Sequence, residues 1–306
     1  MSQEDLAAGR LVLIPAKQVS YSERARLINE AYADYYVPLH VTADQIVRMD
    51  QAYDVDLGRS VVAFVGTDPV GSTLLSRRGA RGWIHSVGTL PSWRRSGIAR
   101  AMVAQVMAAA AETSVEQLTL EVITQNTPAC RLYESLGFRP RRELLTWRRA
   151  EDQDPLPISR FRLVQADPDR LYGAIASWQT ARPCWQREID TLKQLGSTLK
   201  GYRLLSDGPD SPRRCGFLFR DKVDAANACC LVSGTENGVS IMAVGIRPGG
   251  DALGLGTLLL QALSASYPGQ VLSILNVPAD DVLCRVLAAL RFTVTMRQFE
   301  MAFAPR

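Results

Sequence analysis

One short pattern occurs twice in this chain and strongly limits what the chain can fold into. Val87-Gly88, Pro91 and Gly97-Ile98-Ala99 are matched, 157 residues further on, by Val244-Gly245, Pro248 and Gly254-Leu255-Gly256. A second match, 154 residues apart, relates Leu136-Gly137-Phe138 to Leu290-Arg291-Phe292. Repeats at this spacing predict two copies of one domain, and a length of 306 residues is sufficient for both.

The segment 151–157 separates the two copies, because it is polar, contains two prolines and lacks periodicity. We therefore expect a first domain over residues 1–150, a linker over 151–158 and a second domain over 159–306. Helical spacing over 21–33, a hairpin over 61–75, a strand over 83–90 and a helix after residue 97 follow one another in the first copy. Strands and helices in this order predict an α/β fold with a mixed sheet.

The bulk composition excludes several classes of protein. The net charge of +4 comes from scattered arginines, which is weak support for nucleic-acid binding but suits a polyphosphate ligand. Six cysteines without Cys-x-x-Cys spacing and only two histidines argue against a metal site. The polar N-terminus and the lack of a long apolar run argue against a signal peptide and a membrane span. We expect a cytoplasmic protein with reduced thiols and neither a nucleic-acid nor a membrane partner.

Residues 87–99 predict a phosphate-binding turn. An apolar strand reaches Pro91, and a turn rich in arginine and glycine then opens directly into a helix. Backbone N–H groups at the start of a helix lack intrahelical partners and favour an anion. We expect the ligand to contact the segment Arg94, Arg95, Ser96, Gly97, Ile98, Ala99 and Arg100. The alternative is an ordinary strand–helix junction capped by Ser96.

A second segment, from Asn126 to Phe138, follows the apolar strand at 118–122. Together the two segments resemble the GNAT superfamily of N-acetyltransferases. Its [Gln/Arg]-x-x-Gly-x-[Gly/Ala] loop is matched by Arg94, Gly97 and Ala99, and its Asn-x-x-Ala-x-x-Leu-Tyr-x-x-Leu-Gly-Phe motif is matched throughout 126–138. The resemblance spans about residues 10–148. It implies two tandem domains with mostly antiparallel sheets flanked by helices, acetyl-CoA as co-substrate without a metal, and a small-molecule or peptide amine as acceptor.

The resemblance also implies roles for individual residues. Tyr133 would protonate the departing coenzyme A sulfur, unless it is an aromatic residue that only packs on the sheet. Asn126 would contact the co-substrate, unless it only caps the following helix. A backbone N–H near Leu90, beside Thr89, would bind the thioester carbonyl oxygen.

A base would help the acceptor amine to react, because only the neutral amine attacks. Deprotonation at pH 7 costs about 4.6 kcal/mol for a lysine-type amine but only about 1 kcal/mol for a peptide α-amine. Two candidates remain open. Glu121 precedes Tyr133 by twelve residues, which resembles the pair in bacterial ribosomal-protein N-terminal acetyltransferases. His85 is the other, because strand alternation would place Trp83, His85, Val87 and Thr89 on one face. Either side chain could instead be purely structural.

Asp34, Tyr35 and Tyr36 end the first predicted helix, where the family has its acceptor-binding loop. Aromatic rings and one carboxylate would suit a cationic amine. A cluster of core residues at the helix end is the alternative, and the two interpretations remain equal.

The second copy lacks the residues that carry the chemistry. Asp251 replaces Arg94, Leu287 replaces Tyr133, and Arg291 replaces Gly137. We expect an active N-terminal copy and a degenerate C-terminal copy, either as a monomer with pseudo-dimeric halves or as a homodimer. The main hypothesis is direct attack of a primary amine on acetyl-CoA in a ternary complex. The alternative is a non-catalytic acyl-CoA sensor, whereas dinucleotide binding would need a Gly-x-Gly-x-x-Gly motif that the chain lacks.

Overall fold

The computed structural model describes residues 10–36, 39–150, 161–179, 181–206, 227–235, 238–249 and 251–304. These residues form two compact units. Unit 1 contains the chain up to Arg141 and its last part from Phe299 onward, and unit 2 contains Arg142–Gln298. The predicted linker at 151–158 lies outside the described residues, and the predicted boundaries at 150 and 159 remain a prediction.

Unit 1 is built on five sequential strands: β1 Leu11–Pro15, β2 Val61–Val65, β3 Asp68–Arg78, β4 Arg81–Thr89 and β5 Gln117–Ile123. They lie in this order in the sheet. The first three pairings are antiparallel, whereas β4 and β5 run parallel. The predicted hairpin corresponds to β2 and β3.

Four helices accompany this sheet: α1 Tyr21–Ala31, α2 Ala43–Ala52, α3 Ile98–Ala111 and α4 Thr127–Ser135. Helix α2 begins with a full capping box, in which Thr42 and Gln45 bond each other's backbone N–H. Helix α3 buries Met102, Val103 and Val106 completely against the sheet, as its apolar spacing predicts.

The core of unit 1 includes residues from the far end of the chain. Phe138, which is fully buried, lies with its ring centroid 5.5 Å from that of Phe303, and Met301 belongs to the same apolar cluster. Nothing in the sequence pattern indicates that residues beyond Phe299 complete this core.

Unit 2 repeats the arrangement. Its sheet has the order β6-β11-β10-β9-β8-β7, and only β10 and β11 are parallel. The strands are β6 Arg139–Arg149, which begins in unit 1, β7 Phe161–Ala166, β8 Leu199–Ser206, β9 Ala228–Thr235, β10 Gly238–Ile246 and β11 Leu272–Pro278. A last strand, β12 Thr293–Phe303, begins in unit 2 and ends in unit 1.

The helices of unit 2 are α5 Tyr172–Trp178, α6 Ile189–Leu195, α7 Ala252–Ser266 and α8 Val282–Ala289. Both units thus contain a mixed, mostly antiparallel sheet flanked by helices, which confirms the predicted fold class. None of the helices that the structure describes has the length and apolar content needed to cross a lipid bilayer.

Strand β4 contains a bulge that the sequence does not reveal. Leu74 pairs with His85 and Ser72 pairs with Gly88, so β4 has one more residue than β3 over this stretch. Ser86 has a φ of 51°, in the left-handed region. The predicted common face for Trp83, His85, Val87 and Thr89 is therefore wrong, because the extra residue reverses the alternation after His85.

The bulge leaves His85 among structural partners. Its ring stacks on Trp83 at 4.1 Å, its Nε2 lies 2.9 Å from Ser76 Oγ, and its Nδ1 lies 3.1 Å from Ser86 Oγ. Burial, together with the positive charge of Arg24, lowers the pKa of His85 to about 3. The ring is consequently neutral at pH 7.

A buried ion pair joins α1 to α2. Arg24 donates to Asp50 through Nη1 at 2.6 Å and through Nη2 at 3.0 Å, and the two side chains are 2% and 8% exposed. We expect Asp50→Asn to lower the free energy of unfolding by about 3–5 kcal/mol, because it leaves a buried guanidinium without its counter-charge. Urea denaturation measures this difference.

The matched control is Glu30→Gln, which removes a partner of the exposed Arg26. That change should cost less than about 1 kcal/mol. Equal costs for the two substitutions would contradict the role given to Asp50.

The low pKa of His85 predicts a pH dependence of stability. Because the unfolded chain takes up a proton near pH 6.5 and the folded chain does so only near pH 3, the stabilising contribution is complete above pH 6.5 and is lost as the pH falls. This one group adds at most about 1.4 kcal/mol per pH unit to the slope. His85→Gln should flatten the slope between pH 6.5 and pH 4, and urea denaturation at a series of pH values measures this slope. Identical slopes in wild type and His85→Gln would refute this reading.

Candidate functional site

The sheet of unit 1 opens where β4 and β5 separate. The two parallel strands pair from Arg81 and Gln117 to Ile84 and Leu120, although β4 continues to Thr89. The bulge at Ser86 lies directly beyond the last pair. Backbone groups past this point are free of the β4–β5 ladder, so the carboxyl ends of the two strands form one side of a cleft.

The cleft has a volume of about 620 Å³. Segments that are distant in sequence meet in it, namely the end of β4, the turn before α3, the start of α4 and the residues that follow α1. Its lining consists of Ala31, Tyr32, Asp34, Tyr35, Tyr36, Val87, Gly88, Thr89, Trp93, Arg94, Arg95, Gly97, Ile98, Ala99, Arg100, Asn126, Pro128, Ala129, Leu132 and Tyr133. Most of the predicted site residues are therefore in one place.

The turn before α3 leaves the helix start without a side-chain cap. Gly97 is the N-cap residue, with a φ of 85° that a larger residue would adopt only under strain. Ser96 does not cap the helix, because its hydroxyl donates to the Trp93 carbonyl at 2.5 Å. The first N–H groups of α3 therefore have no side-chain cap, and residues 97–100 line the cleft.

Tyr133 and Asn126 approach the cleft from α4. Tyr133 is 6% exposed, and among the described residues its hydroxyl has no hydrogen-bond partner. Burial raises its pKa well above that of a free tyrosine, so the hydroxyl stays protonated. Asn126 caps α4 by accepting from the Ala129 N–H at 3.2 Å, and its amide also donates to the Tyr35 hydroxyl at 3.5 Å. Asn126 therefore both caps the helix and lines the cleft.

Three tyrosines that follow α1 form a further part of the cleft wall, which we call the tyrosine wall. The rings of Tyr32 and Tyr35 meet edge to face at 5.0 Å, and those of Tyr35 and Tyr36 do so at 5.3 Å. Tyr32 donates to the Val87 carbonyl at 3.0 Å, so the wall is tied to the bulged strand. Tyr36 is 53% exposed at the mouth. The sequence analysis missed Tyr32, although its position beside Asp34 could have indicated it.

The carboxylate of Asp34 is paired within the protein. Arg94 donates to its two oxygens at 2.6 Å and 2.7 Å. This hydrogen bonding holds the pKa of Asp34 below its usual range. The expected use of Asp34 as the counter-charge of a cationic acceptor is therefore not supported, because its charge is already matched.

Four predicted residues lie outside the cleft lining, namely Ser96, Glu121, His85 and Leu90. Glu121 is half-buried on β5, and His85 is enclosed by Trp83, Ser76 and Ser86. The Leu90 N–H donates to the Val70 carbonyl at 2.9 Å, so it does not provide the expected carbonyl-binding donor. The bulge residue Val87, which lines the cleft and has no register partner on β3, is the better-placed backbone group.

The equivalent region of unit 2 is closed by its own side chains. At the start of α7, the Asp251 carboxylate accepts the Gly254 N–H at 2.8 Å and so occupies the helix N-terminus. Strands β10 and β11 pair only at Val239–Leu272 and Ser240–Ser273 and then separate.

The buried Arg187 fills this second opening, because it donates to the carbonyl of Met242 at 3.0 Å and to that of Leu275 at 3.2 Å. Burial lowers the pKa of this guanidinium. The sequence analysis missed Arg187, since no motif marks it. Within the described residues no group of three or more His, Cys, Asp or Glu side chains could hold a metal ion.

Known proteins are similar to this chain in sequence and in fold. Residues 25–138 match the model of the acetyltransferase (GNAT) family. That range contains the whole cleft, including both motifs and the tyrosine wall. No curated protein matches the sequence significantly.

Solved structures extend the likeness to nearly the whole chain. A GCN5-related N-acetyltransferase from Sphaerobacter thermophilus is 17% identical, with a TM-score of 0.69 over 96% of this chain and 95% of that one. A tandem GNAT protein from the clavulanic acid biosynthesis pathway is 18% identical, with a TM-score of 0.65 over 97% and 100%. A GCN5-related N-acetyltransferase from Anabaena variabilis is 14% identical, with a TM-score of 0.61 over 96% and 72%. Residues 25–138 therefore match the acetyltransferase (GNAT) family, and the fold of nearly the whole chain is similar to that of GNAT N-acetyltransferases, among them a tandem GNAT protein.

Proposed function

We propose that unit 1 is an acetyl-CoA-dependent N-acetyltransferase that acts on a primary amine, and that unit 2 is its degenerate copy. The family match supports acyl-CoA-dependent acetyl transfer in general. The observation that carries the proposal is the shared cleft, which combines an uncapped helix N-terminus with the buried hydroxyl of Tyr133.

The residues that line the cleft suit both the diphosphate and the pantetheine arm of acetyl-CoA. The N–H groups from Arg95 to Ala99, with the guanidinium groups of Arg95 and Arg100, would hold the diphosphate. The opening between β4 and β5 would hold the narrow pantetheine arm. Acetyl-CoA supplies an acyl group activated as a thioester.

In our mechanism the chain contributes three functions to the transfer. The tyrosine wall places the amine beside the carbonyl carbon, so that attack occurs within one ternary complex. The Val87 N–H, on the bulge, stabilises the negative charge that develops on the carbonyl oxygen. Tyr133 donates a hydrogen bond to the sulfur as the C–S bond breaks.

The movement of protons during the reaction determines whether Tyr133 acts as a hydrogen-bond donor or as an acid. The attacking nitrogen becomes strongly acidic as the C–N bond forms, and it loses a proton while the thiolate gains one. Because the pKa of Tyr133 is raised, its hydroxyl stabilises the leaving thiolate mainly as a donor and is not consumed. Any proton that it passes to sulfur is replaced by the one lost from nitrogen.

A non-catalytic acyl-CoA-binding module is the second candidate. One observation favours it, since the carboxylate lining the cleft, Asp34, is already paired with Arg94. This candidate predicts tight binding of coenzyme A without acetylated product for any amine.

We expect Tyr133→Phe to lower kcat by about 100-fold or more, because the leaving sulfur loses its donor. Coenzyme A release should be measured with a peptide α-amine, spermidine, glucosamine and tryptamine as acceptors, with mass spectrometry of the products. Tyr202→Phe, which removes a tyrosine hydroxyl in unit 2, is the matched control and should retain wild-type turnover. An unchanged kcat in Tyr133→Phe would remove this residue from the mechanism. Failure of every amine with the wild type would favour the binding module.

We also expect one coenzyme A site per chain, in unit 1. Arg95→Glu should weaken the binding of coenzyme A by about 10- to 100-fold, because it replaces a hydrogen-bond donor to the diphosphate with a side chain that is negatively charged like the diphosphate. The control Arg285→Glu makes the same charge change on an exposed position of α8 and should alter Kd by less than about twofold. Isothermal titration calorimetry gives both Kd and stoichiometry, and two equivalent sites per chain would contradict the degenerate role of unit 2.

A further inference from the structure

The Arg94 side chain makes four hydrogen bonds within the protein. Besides its two bonds to Asp34, it donates to the Ala31 carbonyl at 3.1 Å and to the Thr89 carbonyl at 3.4 Å. Its three guanidinium nitrogens thus bond to the end of β4, to the last residue of α1 and to the segment that follows α1. Arg94 itself belongs to the turn before α3. The Arg94 side chain therefore connects the turn before α3, which is predicted to bind the donor substrate, with the tyrosine wall, which is predicted to bind the acceptor.

Asp34 lies within the tyrosine wall, between Tyr32 and Tyr35. It follows Tyr32 and precedes Tyr35 and Tyr36, so its position fixes the path of the chain between the three rings. One hydrogen bond holds each end of the wall: Tyr32 donates to the Val87 carbonyl, and Tyr36 donates to the Gln125 carbonyl. The bidentate pair with Arg94 is the charged attachment between them.

Stability alone does not account for this pair. The side chains of Arg94 and Asp34 are 40% and 56% exposed, and ion pairs that are so exposed contribute little to folding. The pair is nevertheless bidentate, which restricts the relative orientation of the two segments. The pair is therefore better suited to positioning than to holding the fold together.

We propose that Arg94 is a positioning residue: it acts through Asp34 to hold the tyrosine wall at residues 32–36 against the donor turn. This rests on the proposed function. The diphosphate is then bound by the backbone N–H groups, Arg95 and Arg100, and not by the Arg94 side chain. When coenzyme A binds and orders the turn before α3, Arg94 transmits this ordering to the tyrosine wall.

The first test separates acceptor from donor binding. Asp34→Asn should raise the KM of the fastest amine among the peptide α-amine, spermidine, glucosamine and tryptamine by about fivefold or more, with the Kd of coenzyme A within about twofold. Arg95→Glu should instead raise the Kd of coenzyme A and leave the amine KM unchanged. A raised Kd with an unchanged amine KM in Asp34→Asn would overturn the proposal.

Reversal of the charges tests whether the two residues act as a pair. Arg94→Asp should raise the amine KM, and the double variant Asp34→Arg/Arg94→Asp should recover at least half of that loss on a logarithmic scale. If Arg94 instead contacts the diphosphate directly, both variants will weaken coenzyme A by about tenfold or more and the reversal will not restore binding.

Hydrogen exchange tests the coupling independently of turnover. Coenzyme A should slow amide exchange at residues 32–36 in the wild type and should leave it unchanged in Asp34→Asn, with equal occupancy in both. Equal slowing in the two proteins would refute the coupling even if the enzyme is active. If no amine is acetylated by the wild type, the proposed function fails, and the exchange result still decides the role of Arg94.

Discussion

The cleft depends on one extra residue in β4. The bulge at Ser86 follows the last β4–β5 pair, so the outer part of β4 lies free of its parallel neighbour. This arrangement brings Val87 and Thr89 to the cleft and lets Tyr32 bond the Val87 carbonyl. Without the extra residue, strand alternation would turn Val87 and Thr89 to the face that holds His85, and the cleft would lose the backbone groups of Val87, including the carbonyl that Tyr32 bonds.

Unit 2 shows that the opening alone does not make a site. Its parallel pair also separates, and β10 also has an extra residue relative to β9, between Ile241 and Ala243. There the opening is filled by the guanidinium of Arg187, and the helix start is filled by Asp251. In unit 1 Tyr32 bonds the Val87 carbonyl, but among the described residues no side chain caps the start of α3. The same backbone frame can thus support a binding site in one unit and a packed core in the other, according to a few side chains.

The sequence predicted those parts that local patterns determine. The apolar stripe of α3, the turn at Gly97 and the position of Tyr133 follow from helical spacing and from motifs of fixed length. The bulge was missed because an inserted residue leaves no mark on a strand whose residues are buried or half-buried on both faces, and His85 was misplaced for that reason. The partner of Arg94 and the packing of Phe303 against Phe138 depend on long-range contacts, 60 residues apart for Arg94 and Asp34. A single sequence does not indicate contacts of that kind.

A crystal structure of the protein with coenzyme A would test the central claim most directly. The account predicts the diphosphate against the N–H groups of residues 95–99, and the sulfur within about 3.5 Å of the Tyr133 hydroxyl, at hydrogen-bond distance for a sulfur acceptor. Density for the diphosphate at the start of α7, or a sulfur remote from Tyr133 with the turn before α3 empty, would contradict it.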